Sequence, residues 1–550
     1  MPLLTGMLAA VVGAAWVSRW RQPQLTTLTA GAVAAALGIA ALSEIPNTFA
    51  GFLVGDRLLT ASVHTDSVQH MAMANMLVGY GRISLGLHGV VPQAYHAFSH
   101  LLYGSISRGI GLPIADVYGH ATLLIFAPLL FAWLAGAASA LVPRGSQAKP
   151  WHLALAVLVC VAGFLGHDWF QSCTVWYSYL LSESQLVGLV LFLAFMAWMF
   201  SNRPTSPWIT AAWLAVMTAS KVSVGVMALA AYGAVVLARR IRAPGSVRAL
   251  LIDFAAPVVA TMAAAWVVMP VGNTAAWDFL VFGDKYFGQA CTVPIGTPGS
   301  SAWFVAYHFF FAWLALGLTW LAKSPDDRSQ RRDVMVVLGV LILAGFVPLS
   351  NDIPGGSAAY FSNVTTIFAI AVTAARLTAG TARGILPPDA RGAATLLVAA
   401  LGVIGLVCFF PAQARRTIAG LASPAGDSAS TTSGVTPYVR ELQRLATAAP
   451  RDALVYIDKA EHAFWTITPD CTRAAVLIPA LSERPALFGL PDAACAQRIG
   501  RDYQPYADVG VAASAEHIPT TVLCAETRRL GFARVFAVTA ERASEILCPE

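Results

Sequence analysis

The chain has 550 residues, 57% of them apolar and only 12% Asp, Glu, Lys or Arg. Soluble globular proteins carry about 25% charged residues, so a water-soluble enzyme of this size is excluded, as are a disordered chain and a nucleic-acid binder. Long apolar runs recur over the first three quarters and give a mean hydropathy of +0.64. They identify a polytopic membrane protein.

Runs of near-spanning length predict twelve transmembrane helices, near 2–18, 25–43, 117–141, 151–166, 184–200, 207–219, 222–238, 250–271, 302–322, 333–349, 362–380 and 393–412. The sixth and seventh are short and together could form one kinked element. One set of alternate loops holds 16 of the 23 basic residues that precede the tail, among them Arg239, Arg240 and Arg242. The positive-inside rule makes that side cytoplasmic and places both chain ends outside. The expected organisation is a transmembrane domain over 1–412, a linker over 413–436 and an extracytoplasmic domain over 437–550.

A long first outer loop, 44–116, interrupts the membrane pattern. Within it, apolar positions recur at helical spacing over 66–80 and 95–112, which predicts two amphipathic helices on the membrane surface. The loop holds five of the eleven histidines, His64, His70, His88, His96 and His100, together with Asp56, Arg57 and Asp66. Asp66 and His70 stand four apart, as do His96 and His100, so each pair shares a helical face. A carboxylate among polar neighbours beside a membrane cavity suits a general base that activates a hydroxyl, and Asp66 and Asp56 are the candidates. The histidines match no zinc-ligand spacing and read either as packing groups or as substrate contacts.

Farther along, Lys221 is the one charge within 207–238. A cation at membrane depth is a functional candidate, and between Ser220 and Ser223 it marks a polar turn able to hold a lipid phosphate. The alternative is a snorkelling lysine at a helix end. Arg57, Arg82, Arg108 and Lys285 are further outer cations available to a phosphate, although Arg82 and Arg108 read more as ordinary surface groups. Asp352 adds an acid to the tight loop Asn351–Ser357, which otherwise reads as a plain turn.

The tail is close to soluble composition, with 27 charged residues from position 425 onward. A small-polar linker, 423–436, leads to a helix near 437–448, a buried strand at 453–457, a helix near 519–530 and a second strand at 533–538, a small α/β pattern. Four cysteines, Cys471, Cys495, Cys524 and Cys548, suggest two disulfides. Sequential pairing, 471 with 495 and 524 with 548, is the favoured of three connectivities. Cys173 and Cys291 could form a third bridge, whereas Cys160 and Cys408 fall inside spans.

Taken together, the chain resembles the GT-C superfamily of polytopic glycosyltransferases. The likeness rests on the acid-bearing first loop, the run Pro92-Gln93-Ala94-Tyr95-His96-Ala97-Phe98-Ser99-His100, the Ser220-Lys221 turn between short spans, and the α/β tail with Pro479–Gly489. The resemblance implies a polyprenyl-phosphate-linked sugar as donor, an extracytoplasmic glycan or lipid as acceptor, and inversion at the anomeric carbon. Asp66 or Asp56 would be the base and Lys221 would neutralise the departing phosphate, with His70, Tyr95, His96, His100, Arg57, Lys285 and Asp352 as substrate contacts. Some members need a divalent cation such as Mg or Mn, but no adjacent acid pair of the common type is present here. A lipid-linked-sugar flippase and a non-catalytic subunit of an envelope assembly are the competing readings. Thirty Arg against five Lys, in an Ala-rich chain, resembles the product of a GC-rich bacterial genome, which implies a bacterial inner membrane.

Overall fold

The computed structural model describes residues 65–143, 150–160, 182–201, 206–242, 247–269, 309–321, 328–349, 358–381, 436–465, 473–490, 506 and 517–549. The chain divides into two compact units. One comprises Met1–Pro46 and Leu124–Gly420; the other comprises Asn47–Leu123 and Leu421–Glu550. The first outer loop thus folds with the tail, and we call this the loop–tail unit.

Three helices come from the loop: α1 (Thr65–Tyr80), α2 (Phe98–Ile110) and α3 (Ile114–Ala121). Expected on a membrane surface, α1 is instead a core helix. Val68, Met71, Ala72, Met73 and Met76 are all buried, as are Ser67 and His70. Its apolar residues surround the axis rather than forming a stripe, and a helix apolar all round belongs inside. By contrast α2 keeps an exposed face at Ser105, Arg108 and Ile110 and ends on Gly111 in the left-handed conformation.

The membrane unit follows: α4 (Ala127–Leu141), α5 (Pro150–Cys160), α6 (Glu183–Phe200), α7 (Pro207–Ser220), α8 (Val222–Arg242), α9 (Val247–Val268), α10 (Phe310–Leu321), α11 (Arg328–Leu349) and α12 (Ala358–Thr381). Among the described residues, four segments are long and apolar enough to cross a membrane: Glu183–Phe200, Val222–Arg242, Leu251–Val268 and Tyr360–Ala379. The predicted spans at 2–18, 25–43 and 393–412 lie outside the described residues. Almost all of α6 and α12 is buried, and they form the heart of the bundle, with Phe368 packed against Phe192 and Phe200. At the rim, α9 exposes Leu251, Val259, Met262 and Trp266, the surface expected where lipid is the solvent. Arg376, one of the 16 basic residues that the sequence assigns to the cytoplasmic loops, is buried within α12.

The basic end of α8 is fixed by ion pairs. Arg239 Nε lies 3.1 Å from Asp333 Oδ2, Arg242 meets the other oxygen of the same carboxylate, and Arg240 lies 2.7 Å from Asp253. Asp253 on α9 and Asp333 on α11 are therefore counter-charges for one arginine cluster.

The tail contributes α13 (Thr436–Ala448), β1 (Ala453–Tyr456), α14 (His462–Trp465), α15 (Arg473–Ser482), α16 (Thr520–Arg529), β2 (Arg534–Val538) and β3 (Ala543–Ile546). The sheet order is β1-β2-β3, with β1 and β2 parallel and β2 and β3 antiparallel. The sequence pattern locates β1 and β2 but not β3, whose residues are all partly or fully exposed and so carry no buried alternation. Cys524 and Cys548 are bonded, with Cα atoms 5.5 Å apart, tying the chain end to α16. Cys471, Cys495, Cys173, Cys291 and Cys408 lie outside the described residues, and Cys160 is free and buried.

What joins loop to tail is a backbone ladder. Val455 N donates to Pro485 O and Leu487 N to Val455 O, which lays 485–487 along β1. On the other side Ala486 N donates to Gly86 O, Gly89 N to Ala486 O, and Gly489 N to Leu87 O. The loop segment 86–89 thereby continues the tail's sheet as an outermost ribbon, an intramolecular form of strand addition. Buried Asn75 reinforces it from α1, donating to Pro479 O (3.1 Å) and Ala480 O (3.0 Å).

Gly86 sits at φ +68, where a Cβ would lie 2.9 Å from Met76 Sδ and 3.0 Å from Pro479 Cβ. Replacing Gly86 with Val should destabilise the loop–tail unit by about 1–3 kcal/mol, through left-handed backbone strain plus overpacking. Limited proteolysis of the full-length protein should show faster cleavage within both 65–123 and 436–549.

Candidate functional site

In the loop–tail unit four of the sequence candidates gather. The rings of His70 and His100 stack with centroids 5.0 Å apart, and Tyr95 packs on both at 5.7 Å. His96 lies 4.7 Å from Tyr95, centroid to centroid. Residues 93–97 lead into α2, so the Tyr-His-rich run is the approach that lays His100 on His70 of α1. His70 and His100 are buried, and Asp66 stands one turn before His70 in the first turn of α1, half-buried. That end of a helix favours a carboxylate through its unpaired amides.

His70 and His100 each offer a ring nitrogen, and these lie within 4.8 Å of one another. Imidazoles suit borderline transition metals, whereas Mg takes oxygen ligands. The two imidazoles suit a borderline metal better than Mg, and a group that contains them could hold a divalent ion.

In the membrane unit the helix break falls where the sequence placed it. α7 ends at Ser220, Lys221 is extended (φ −159, ψ 118), and α8 starts at Val222. Lys221 N donates to Met217 O and closes α7, while Lys221 O accepts from Val224 N and Gly225 N and caps α8. The turn is tight enough that a Cβ on Gly225 would lie 2.7 Å from the Cα of Thr218. Only glycine fits there.

The Lys221 side chain is turned inward. The residue is 7% exposed, and its Nζ sits 3.7 Å from the centroid of the Tyr360 ring at the start of α12. Tyr360 O in turn accepts from Gln185 Nε2 at 3.3 Å. Gln185 belongs to Ser182-Glu183-Ser184-Gln185, all four buried at the entry to α6. Among the described residues, Gln185 Oε1 and Ser223 Oγ are buried without a hydrogen-bond partner. Such groups are costly to leave dry.

Tyr360 and the 182–185 quartet were missed from sequence, although four polar residues directly ahead of an apolar run were a visible signal. Asp56, Arg57, Lys285 and Asp352 lie outside the described residues.

No family model and no curated protein matches this chain. Among solved structures it is similar to an archaeal oligosaccharyltransferase, AglB from Archaeoglobus fulgidus, in complex with an inhibitory peptide and a dolichol-phosphate. The TM-score is 0.35 at 10% identity, over 94% of this chain and 69% of that one. The likeness is faint.

His88 occupies the loop–tail seam. Its Nδ1 accepts from Phe488 N at 3.3 Å, and its Nε2 lies 2.8 Å from Glu526 Oε1. These partners hold the ring neutral with the proton on Nε2. Burial lowers its pKa below 6.5 and outweighs the pull of Glu526. Glu526 is lowered too, by Arg529 first and by His88 after. Both groups bind protons more readily when unfolded, so both contribute stability at high pH that is lost as pH falls. The loop–tail unit should lose stability in two steps, one below about pH 6.5 and one below about 4.5, the ordinary values from which each group is lowered. His88→Gln should abolish the first step, as read from tryptophan fluorescence melts between pH 8 and 4.

Proposed function

We propose that this chain is a membrane glycosyltransferase that moves a sugar from a polyprenyl-phosphate carrier to an extracytoplasmic glycan or lipid acceptor, with inversion. The observation that carries the proposal is Lys221, an inward-turned cation at a helix break in a buried polar setting. A lysine ammonium is a compact point charge suited to a phosphate, and it can neutralise the charge that develops on a departing lipid phosphate. The aromatic face of Tyr360 holds the ammonium until that anion arrives. A snorkelling lysine would turn its head to the interface, which a residue 7% exposed does not do.

Asp66 is the base in this reading. Its carboxylate would take the acceptor hydroxyl's proton as that oxygen attacks the anomeric carbon and the phosphate leaves. His70, Tyr95, His96 and His100 would shape the surroundings of the acceptor through stacked rings. The bacterial inner membrane, with the loop–tail unit on the non-cytoplasmic side, is part of the same proposal.

Two substitutions test it in full-length protein reconstituted in nanodiscs with a polyprenyl-phosphate sugar. Lys221→Met should lower kcat/KM for the donor at least 100-fold, while Lys221→Arg keeps part of the activity. Asp66→Asn should lower kcat by about 10²–10⁴-fold, the usual worth of a general base, with donor affinity unchanged. Full transfer by Lys221→Met would refute the phosphate role, and full transfer by Asp66→Asn would refute the base. Carrier movement across sealed vesicles without release of polyprenyl phosphate would replace the transferase by a flippase.

A further inference from the structure

Two adjoining hollows in the loop–tail unit share a wall made by Gly79, Tyr80 and Arg451. The larger, about 530 Å³, is also lined by Arg82, His88, Asp452 and Phe532. It falls within the roughly 300–1,000 Å³ of small-molecule sites. The smaller opens between the end of α2, at Arg108, and the turn at Glu483.

The lining has two chemistries. Tyr80 and Phe532 form an aromatic pair, centroids 6.0 Å apart and tilted by 60°, both half-buried. The Tyr80 hydroxyl donates to Arg451 O at 3.0 Å, and burial pushes its pKa up to about 12, so it remains a neutral donor. Around the aromatics stand three exposed arginines, Arg82, Arg108 and Arg451. Among the described residues none of these three makes an ion pair. Arg484, beside them, is different. Its guanidinium donates to the carbonyls of Ala446, Ala449 and Pro450, stapling the end of α13, and is spent structurally. Two acids, Asp452 and Glu483, face the three free guanidinium groups, so a positive excess remains.

We propose that this cleft binds an anionic saccharide. The electron-rich faces of Tyr80 and Phe532 match the C–H faces of sugar rings, whose polarised hydrogens seek the negative side of an aromatic ring. Arg82 and Arg451 match a carboxylate or phosphate on the sugar, which a planar guanidinium grips through paired hydrogen bonds. Asp452 accepts from ring hydroxyls. An inorganic anion would use the arginines and ignore the aromatics, and a neutral glycan would do the reverse. The juxtaposition of both selects a charged sugar. The site stands whether or not the chain transfers sugar.

The test is calorimetry on full-length protein in nanodiscs with trigalacturonate, its methyl ester and inorganic phosphate as probes. The acid form should bind at least tenfold more tightly than the ester and should outcompete phosphate. Arg451→Gln and Phe532→Ala should each weaken trigalacturonate about tenfold without shifting Tm; Arg82→Gln, on the exposed rim, serves if either misfolds. Equal affinity for acid and ester, no measurable binding of trigalacturonate, or phosphate binding equally well with Phe532→Ala silent would each overturn the proposal. Because no donor or turnover is involved, these outcomes are separable from failure of the transferase reading.

Discussion

The ladder between Gly86–Gly89 and Ala486–Gly489 is the interaction on which the loop–tail unit depends. Without it, the segment 485–489 that pairs with β1 would present its own outer edge to solvent, and an unpaired edge beside a buried strand is an aggregation hazard. With it, the segments 86–89 and 485–489 flank β1 on the side away from β2, and the bond from Asn75 fixes α1 above them. The consequence reaches the candidate residues. His70 and Asp66 ride on α1, so a sheet formed by residues some 400 positions later determines where they are held. A loop of this length would otherwise be a poor platform for aligned side chains.

A second constraint operates in the membrane unit. Taking a lysine ammonium out of water is costly, and a desolvated cation–π contact returns on the order of 2 kcal/mol, so the ring of Tyr360 offsets part of that cost. The backbone of Lys221 meanwhile does structural work, closing α7 and opening α8, so side chain and main chain have separate tasks.

Much of this was legible in the sequence. The Lys221 break, β1, β2, α13 and α16 follow from charge, periodicity and turn residues, which are local signals. The stacking of His70, Tyr95 and His100 was half visible, since spacing put His96 and His100 on one face but could not bring α2 onto α1. The pairing of 86–89 with 486–489 was not visible, because main-chain hydrogen bonds leave no mark in side-chain pattern. Pro479–Gly489 stood out as a motif without a purpose; its role is the seam, where Glu483 and Phe488 take positive φ values to bring two carbonyl ladders into register. The surface placement of α1 failed for a different reason. Helical spacing reports an apolar face, yet the composition around the other faces decides whether a helix is half or wholly buried.

The two ends of α8 carry the orientation argument further than charge counting alone. Its 21 residues rise about 31 Å at 1.5 Å per residue, close to the roughly 30 Å of a bilayer's hydrocarbon core. Lys221 immediately precedes the first turn, and Arg239, Arg240 and Arg242 occupy the last, paired with Asp253 and Asp333. The lysine and the arginine cluster must then lie at opposite membrane faces. Positive charge gathered near span ends marks the cytoplasmic side, and the cluster's acids neutralise only part of it. Lys221, with Tyr360 at the start of α12 and Gln185 at the start of α6, therefore lies at the end of α8 opposite the arginine cluster. In the proposed transferase that end is the non-cytoplasmic one, where a lipid-borne phosphate would meet the ammonium before any other described cation of the membrane unit's helices.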